Sequence, residues 1–399
     1  MKKKVIFVIH SLSIGGAQKS LINVLSRFDY DNYDVTLYVR DKPYDLAKSV
    51  PPQVRMVLNH YNKDYNKAVI KLDGKLSGWL RKRIPPFKRF CKRIEKWSLN
   101  CSVEKKSSYE GKAHVELCEK YDIAIAYLQE YVCRFTFDHI EANYKICFYH
   151  VSTDSKPDLH KAYLPRYDKV IAITDETASF LINRYPDLED KMAVIPNFIN
   201  VREVLEKSKQ VVVDPIKQKC DSVILCTCGT LSQHKGSLMA IEAAKILHHK
   251  QQDFLWIFVG DGPAKARMED LIAEYGLEDK VVLIGKQENP YPYFMMADIY
   301  VQPSYEESQC LSIMEAQILG IPVITTDTVG GHNVVSHGET GIVVPITAVG
   351  LASGIELLSS NLSLFETIKQ KLCLIDYDAY NNKCSEKWVA LMREAQTLG

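Results

Sequence analysis

The sequence predicts an α/β protein made of two successive parallel-sheet domains. Three observations carry this. Short apolar runs alternate with amphipathic segments, the pattern of parallel sheets with right-handed crossovers. The pattern starts afresh near Ser222, so it describes two successive halves rather than one large sheet. Polar turns, several of them glycine-containing, follow the apolar runs in both halves, where an open α/β sheet binds its ligands.

In the first half, residues 5–9 form a predicted strand, Gly15-Gly16 a turn, 17–27 an amphipathic helix and 35–39 the next strand. Short apolar runs at 123–127, 145–149 and 169–173 read as further strands. The second half gives strands at 223–227, 254–259, 280–284, 298–302, 323–325 and 341–344, with helices at 237–248 and 264–275. The polar stretch 203–221 separates domains of 1–205 and 206–379. Residues 385–397 form a last amphipathic helix, with Trp388, Leu391, Met392 and Ala395 on one side.

A chain of 399 residues supplies two or three domains, and a net charge of +1 with 46% apolar residues describes a globular protein, not a tail or fibre. Eleven cysteines without regular spacing point to reduced thiols in a cytosolic compartment. Cys226 and Cys228 share one face of a strand as core packing, and no zinc spacing is present. Lys2-Lys3-Lys4 and the apolar run behind it imitate a leader, but the run is short, His10 breaks it and Gly15-Gly16 follows. No run approaches the length needed to cross a bilayer.

Residues 301–323 are the most informative stretch. A buried strand leaves through Pro303 and Ser304 into a polar turn with Glu306 and Glu307; a helix carrying Glu315 follows and stops at Gly320. A strand end, a turn and a helix amino terminus form an anion site. At about 1.5 Å per helical residue, Glu307 and Glu315 would lie roughly 12 Å apart. Phosphates at the helix start, flanked by hydroxyl-rich groups on two acids, match the shape of a nucleotide sugar. Two glutamates that merely favour the helix dipole are the plain alternative.

This pattern resembles the Glu-x7-Glu motif of retaining glycosyltransferases of family 4, which have the GT-B fold of two Rossmann-like domains around an interdomain cleft. The resemblance implies that Glu307 holds hydroxyls of the donor sugar and Glu315 the ribose. Gly229-Thr230-Leu231…Lys235-Gly236 resembles the family's Gly-Arg-Leu…Lys-Gly loop, whose two cations hold the diphosphate. Lys235 matches; Thr230 replaces the arginine, the loss of a charge-assisted contact on the order of 1.5–3 kcal/mol. Either the adjacent His234 compensates or the enzyme is slow, differently tuned or inactive.

Gly15-Gly16 is a site for positive φ and close ligand approach, and the resemblance puts Gly16 against the donor phosphate. A third glycine and the acid of a dinucleotide fingerprint are missing, which argues against a nicotinamide enzyme. By resemblance His150, at a strand end, contacts the donor sugar near its reacting carbon; a structural histidine is the alternative. The Ile195-Pro196-Asn197-Phe198-Ile199-Asn200 segment resembles the hinge signature, and Gly260-Asp261-Gly262-Pro263 and the loop 285–291 also match, the latter near the base. Ser308-Gln309-Cys310 departs from the usual Gly-Phe-Gly, and Asn333 with its neighbours lacks the glutamate usual after Gly330-Gly331. The matches run in order to about Pro345. The last helix is expected to cross back to the first domain.

Between Lys71 and Lys96 stand ten lysines and arginines against Asp73 and Glu95, with Phe87, Phe90, Cys91, Ile94 and Trp97 at helical spacing. A helix of this kind after Pro85-Pro86 suits the headgroup region of an anionic membrane; a helix packed on the first domain is the alternative, and nothing supports nucleic acid. The expectation is a cytoplasmic, retaining GT-B glycosyltransferase, peripheral on the inner face of the membrane. It would move a sugar from a nucleotide sugar, UDP-sugar favoured, to a glycan or lipid-linked glycan of a bacterial surface polysaccharide. Glu307, His150 and Lys235 are the catalytic candidates; Gly16, Asn197, Thr230, Lys235, Gly262, Ser308, Gln309, Cys310, Leu311 and Glu315 are the donor-binding ones. Front-face displacement without metal or other cofactor is implied. The rivals are a catalytically silent GT-B partner subunit and a nucleotide-sugar epimerase.

Overall fold

A computed structural model describes residues 2–58, 119–211 and 222–398, so the basic stretch 71–96 lies outside the described residues. The first sheet has seven strands: β1 (Lys3–Ile9), β2 (Tyr33–Val39), β3 (Arg55–Leu58), β4 (Tyr121–Ala126), β5 (Ala142–Tyr149), β6 (Lys169–Ala172) and β7 (Met192–Val194), in the order β3-β2-β1-β4-β5-β6-β7. The second has six: β8 (Val223–Cys228), β9 (Phe254–Val259), β10 (Val281–Gly285), β11 (Ile299–Gln302), β12 (Val323–Thr326) and β13 (Gly341–Val344), in the order β10-β9-β8-β11-β12-β13. Every strand pair within the two sheets is parallel.

The two orders are one topology used twice. In each sheet the chain winds outward from its first strand, then returns to that strand's other side, which leaves a crevice at the carboxyl ends of β1 and β4 and of β8 and β11. Helices cover both faces, so the central strands are apolar throughout: Val5, Ile6, Phe7, Val8 and Ile9 are all fully buried, as are Trp256, Ile257 and Phe258. The edge strands β3 and β7 have no buried residue, and the sequence reading contained neither.

The last helix, Tyr377–Leu398, starts on the second domain and ends on the first. Near its start the Tyr377 hydroxyl donates to Gln317 Oε1 at 2.6 Å. One turn on, Asn381 brackets the hinge, accepting from the Ile199 N–H at 3.1 Å and donating to its carbonyl at 2.9 Å. Further along, Trp388 stacks on Phe148 with centroids 5.0 Å apart, and Leu391, Met392 and Ala395 join the core of the first sheet. The helix therefore begins earlier than residue 385 and has contacts with both domains.

No single described helix is long and apolar enough to cross a membrane. The apolar pair Ala348–Ser360 and Leu362–Leu372 bends by 92° between its members, and Leu351, Ile355, Leu358, Ile368 and Leu372 are buried in the second domain's core.

Candidate functional site

A cavity of about 630 Å³ lies between the two crevices, within the range of small-ligand sites. The first domain contributes residues 13–16 and Lys19 to its wall; the second contributes, among others, 228–231, Lys235, 260–262, Lys286, Glu307, 309–312 and Glu315. The structure thus brings together Gly16, Thr230, Lys235, Gly262, Glu307, Gln309, Cys310, Leu311 and Glu315.

Two buried acids face this space, each holding a lysine. Glu307 sits in the turn after β11, and three donors converge on its Oε1: Lys235 Nζ at 2.7 Å, Ser304 Oγ at 2.8 Å and Gln302 Nε2 at 3.0 Å. Ser304 is fully buried and Gln302 nearly so, which fixes the carboxylate's place. Glu315 lies on the helix Leu311–Ile318 with its side chain only 4% exposed, and its Oε1 accepts from Lys19 Nζ at 2.7 Å and from the Tyr291 hydroxyl at 3.0 Å. The helix starts at Leu311, so Glu307 precedes it. Part of the interval between the two acids is therefore a turn, to which the helical rise does not apply.

Burial would lower both ammonium pKa values, but the adjacent carboxylates outweigh it, Glu315 for Lys19 and Glu307 for Lys235, so both stay charged. Burial, then Glu315, pushes Tyr291 far up, which keeps its hydroxyl a donor. Burial also pushes the Cys228 and Cys310 thiols up to about 12, so they act as small apolar side chains here.

The helix Leu311–Ile318 has Cys310 at its cap without a side-chain hydrogen bond to the first turn. Its leading N–H groups are thereby left for an anion. Glycines shape the rest. A Cβ on Gly262 would come within 2.3 Å of the Leu231 carbonyl oxygen, and one on Gly330 within 2.7 Å of Glu307 Cβ, which lets the double-glycine turn press against the Glu307 turn. Gly16 differs from expectation. Gly15 is extended at φ −165° and Gly16 has no positive φ; a Cβ on Gly16 meets nothing within 4 Å, so its glycine keeps cavity space open rather than permitting a turn.

Three expected residues lie off the cavity wall. His150 packs against Tyr127, with ring centroids 5.0 Å apart, and its buried Nε2 has no partner among the described residues; burial lowers its pKa from 6.5 to about 4. Asn197 is buried in the hinge, accepting from Ser20 Oγ at 2.6 Å and donating its N–H to Gln309 Oε1 at 2.8 Å. Ser308 is buried beneath Gly330. His234, the proposed compensator for Thr230, is exposed and does not line the cavity.

Sequence reasoning missed Lys19, Tyr291, Gln302 and Ser304 as functional residues. Lys19 could have been found: it stands three residues after Gly16, on the same face of the helix Gly16–Leu25. Among the described residues no group of three or more His, Cys, Asp or Glu side chains forms a metal-ligand cluster.

The family model of the glycosyl transferases group 1 matches residues 212–371. Alpha-D-kanosaminyltransferase of Streptomyces kanamyceticus is 30% identical over 153 residues, 38% of this chain and 40% of its own. The lipopolysaccharide core biosynthesis glycosyltransferase LpsE of Rhizobium meliloti is 25% identical over 241 residues, 54% of this chain and 69% of its own. Against several curated relatives the chain spans less than half of their length, 37–45%. Among solved structures, Anabaena Alr3699/HepE in complex with UDP and glucose superposes with a TM-score of 0.66 at 18% identity, over 97% of this chain and 100% of that one. The chain is by fold a GT-B protein whose residues 212–371 match the group 1 glycosyl transferases.

Proposed function

We propose that this protein is a retaining, family 4 glycosyltransferase that moves a sugar from a nucleotide sugar, UDP-sugar favoured, to a hydroxyl of a glycan or lipid-linked glycan acceptor. One observation carries the reading: two buried acids, Glu307 and Glu315, flank an uncapped helix start inside an interdomain cavity, each beside a lysine. Glu307 takes sugar hydroxyls and Glu315 the ribose. The diphosphate between them meets the helix start and Lys235, with the Gly16 and Gly262 backbones close by. The Anabaena neighbour, whose complex holds UDP and glucose, supports the choice of nucleotide, and the lipopolysaccharide enzyme of Rhizobium supports a surface-polysaccharide acceptor.

In this reading the acceptor oxygen attacks the anomeric carbon on the face from which the diphosphate leaves. The new carbon–oxygen bond forms as the bond to the β-phosphate oxygen breaks, and the acceptor proton passes to that leaving oxygen. Lys235 and the N–H groups at Leu311 stabilise the charge that develops there. The scheme uses no metal or other cofactor, and no step is assigned to His150. A cytoplasmic site on the inner face of the membrane fits a lipid-linked acceptor.

Thr230 favours one other reading, a silent GT-B partner subunit that binds nucleotide without turnover. Nucleoside diphosphate release from a panel of UDP-, GDP- and ADP-sugars, with and without bacterial lipid extract, separates the two. Release from one donor, lost in Glu307→Ala and raised by lipid, supports the transferase. Tight UDP binding with no release from any donor supports the silent subunit.

A further inference from the structure

We propose that Lys19 supplies, from the first domain, the diphosphate-binding cation that Thr230 leaves absent from the second. The inference rests on the nucleotide-sugar reading and adds a binding residue to it.

Three lysines are among the side chains that line the cavity: Lys19, Lys235 and Lys286. Lys235 is bound to Glu307 and Lys19 to Glu315, each at 2.7 Å. If Glu307 takes the sugar and Glu315 the ribose, the diphosphate that joins them runs from one lysine to the other. Each ammonium then needs to move only from its carboxylate to the adjoining phosphate. Ribose hydroxyls replace Lys19 on Glu315, while the Tyr291 hydroxyl, 3.5 Å from Lys19 Nζ, keeps its bond to the acid. Lys19 thus loses a partner when the phosphates arrive, and gains one.

Lys286 is less well placed. It follows β10, the edge strand two places from β8, and its ammonium is held by Asp45 at 2.5 Å. Thr230 itself is exposed on the cavity wall. Because Lys19 belongs to the other domain, the diphosphate is gripped across the cleft. A ligand without phosphates cannot use that grip.

The test measures UDP and uridine affinity by calorimetry on the full chain. In Lys19→Met and in Lys19→Gln, which can still donate to Glu315, UDP binding should weaken roughly ten- to hundredfold relative to uridine, the loss of one charge-assisted contact. Lys19→Arg should keep the wild-type ratio. Adding Thr230→Arg to Lys19→Met should restore most of the lost UDP affinity, a rescue that a merely structural lysine would not allow. A parallel weakening of UDP and uridine, or a double variant no better than Lys19→Met, overturns the inference. A wild-type chain that binds none of UDP, GDP or ADP overturns the nucleotide-sugar reading first, and the role of Lys19 with it.

Discussion

Replacing Glu307 separates its chemical role from its structural one. Glu307→Gln keeps an oxygen that can accept from Ser304 and Gln302, whereas Glu307→Ala leaves the fully buried Ser304 hydroxyl without its acceptor. The alanine variant should therefore lose roughly 1–3 kcal/mol of stability. Lys235 adds little to that figure, because its side chain is 39% exposed and a pair at that exposure is worth about 1 kcal/mol or less. The glutamine variant should melt close to wild type. Its turnover should nevertheless fall roughly ten- to hundredfold, since a charged acceptor of sugar hydroxyls becomes a neutral one. UDP should bind it at least as tightly, because Lys235 is released from the acid. Thermal melts, UDP calorimetry and nucleoside diphosphate release give the three readings. Full turnover in Glu307→Gln, with stability lost in Glu307→Ala, would make Glu307 a structural acid and refute the site.

Other consequences follow from the same geometry. Gly16→Ala should fold normally, its methyl entering open space, yet bind nucleotide more weakly; Gly262→Ala, with a Cβ 2.3 Å from the Leu231 carbonyl oxygen, should lose about 1–3 kcal/mol in melts. Trp388→Ala should cost about 3–5 kcal/mol in urea unfolding by removing the stack on Phe148; a loss below about 1 kcal/mol would mean that the last helix is not docked there. His150 titrates at about 4 when folded against 6.5 ordinarily, so the unfolded chain takes up the proton first as pH falls. Stability should drop across that window by at most about 3 kcal/mol, and His150→Phe should flatten the acid limb of the pH–stability curve. An unchanged slope would contradict the burial of that ring.

The sequence revealed most where burial is two-sided. All six strands of the second sheet and the five central strands of the first contain short apolar runs, most of them buried beneath the helices that cover the sheets. β3 and β7 escaped because they are only four and three residues long and carry no buried residue, too short a run to stand out from the polar segments around them. The site was legible as loops in chain order, and most of those loops do line one cavity. Its less visible members share a different property. Asn197 and Ser308 sit in matching motifs but serve the turn and hinge from behind, and a motif records position in the chain, not the direction of a side chain.

Gln309 shows the limit most clearly. In the sequence it is only a departure from an aromatic pattern. In the fold its Oε1 takes the Asn197 N–H while its Nε2 donates to the Tyr380 hydroxyl at 2.5 Å, and that hydroxyl donates to the Asn197 carbonyl at 2.8 Å. The Glu307 turn is thus tied to the hinge and to the crossing helix by one amide that an aromatic ring could not replace. Lys19 is the same lesson at longer range, since its partner Glu315 is 296 residues away. Thr230, read alone, removes a charge from the second domain; set beside Lys19, it describes a site whose positive charge is divided between both walls of the cleft. On the proposed role of Lys19, that division would make binding of a diphosphate depend on how the two domains stand relative to each other, which no loop of either domain could specify alone.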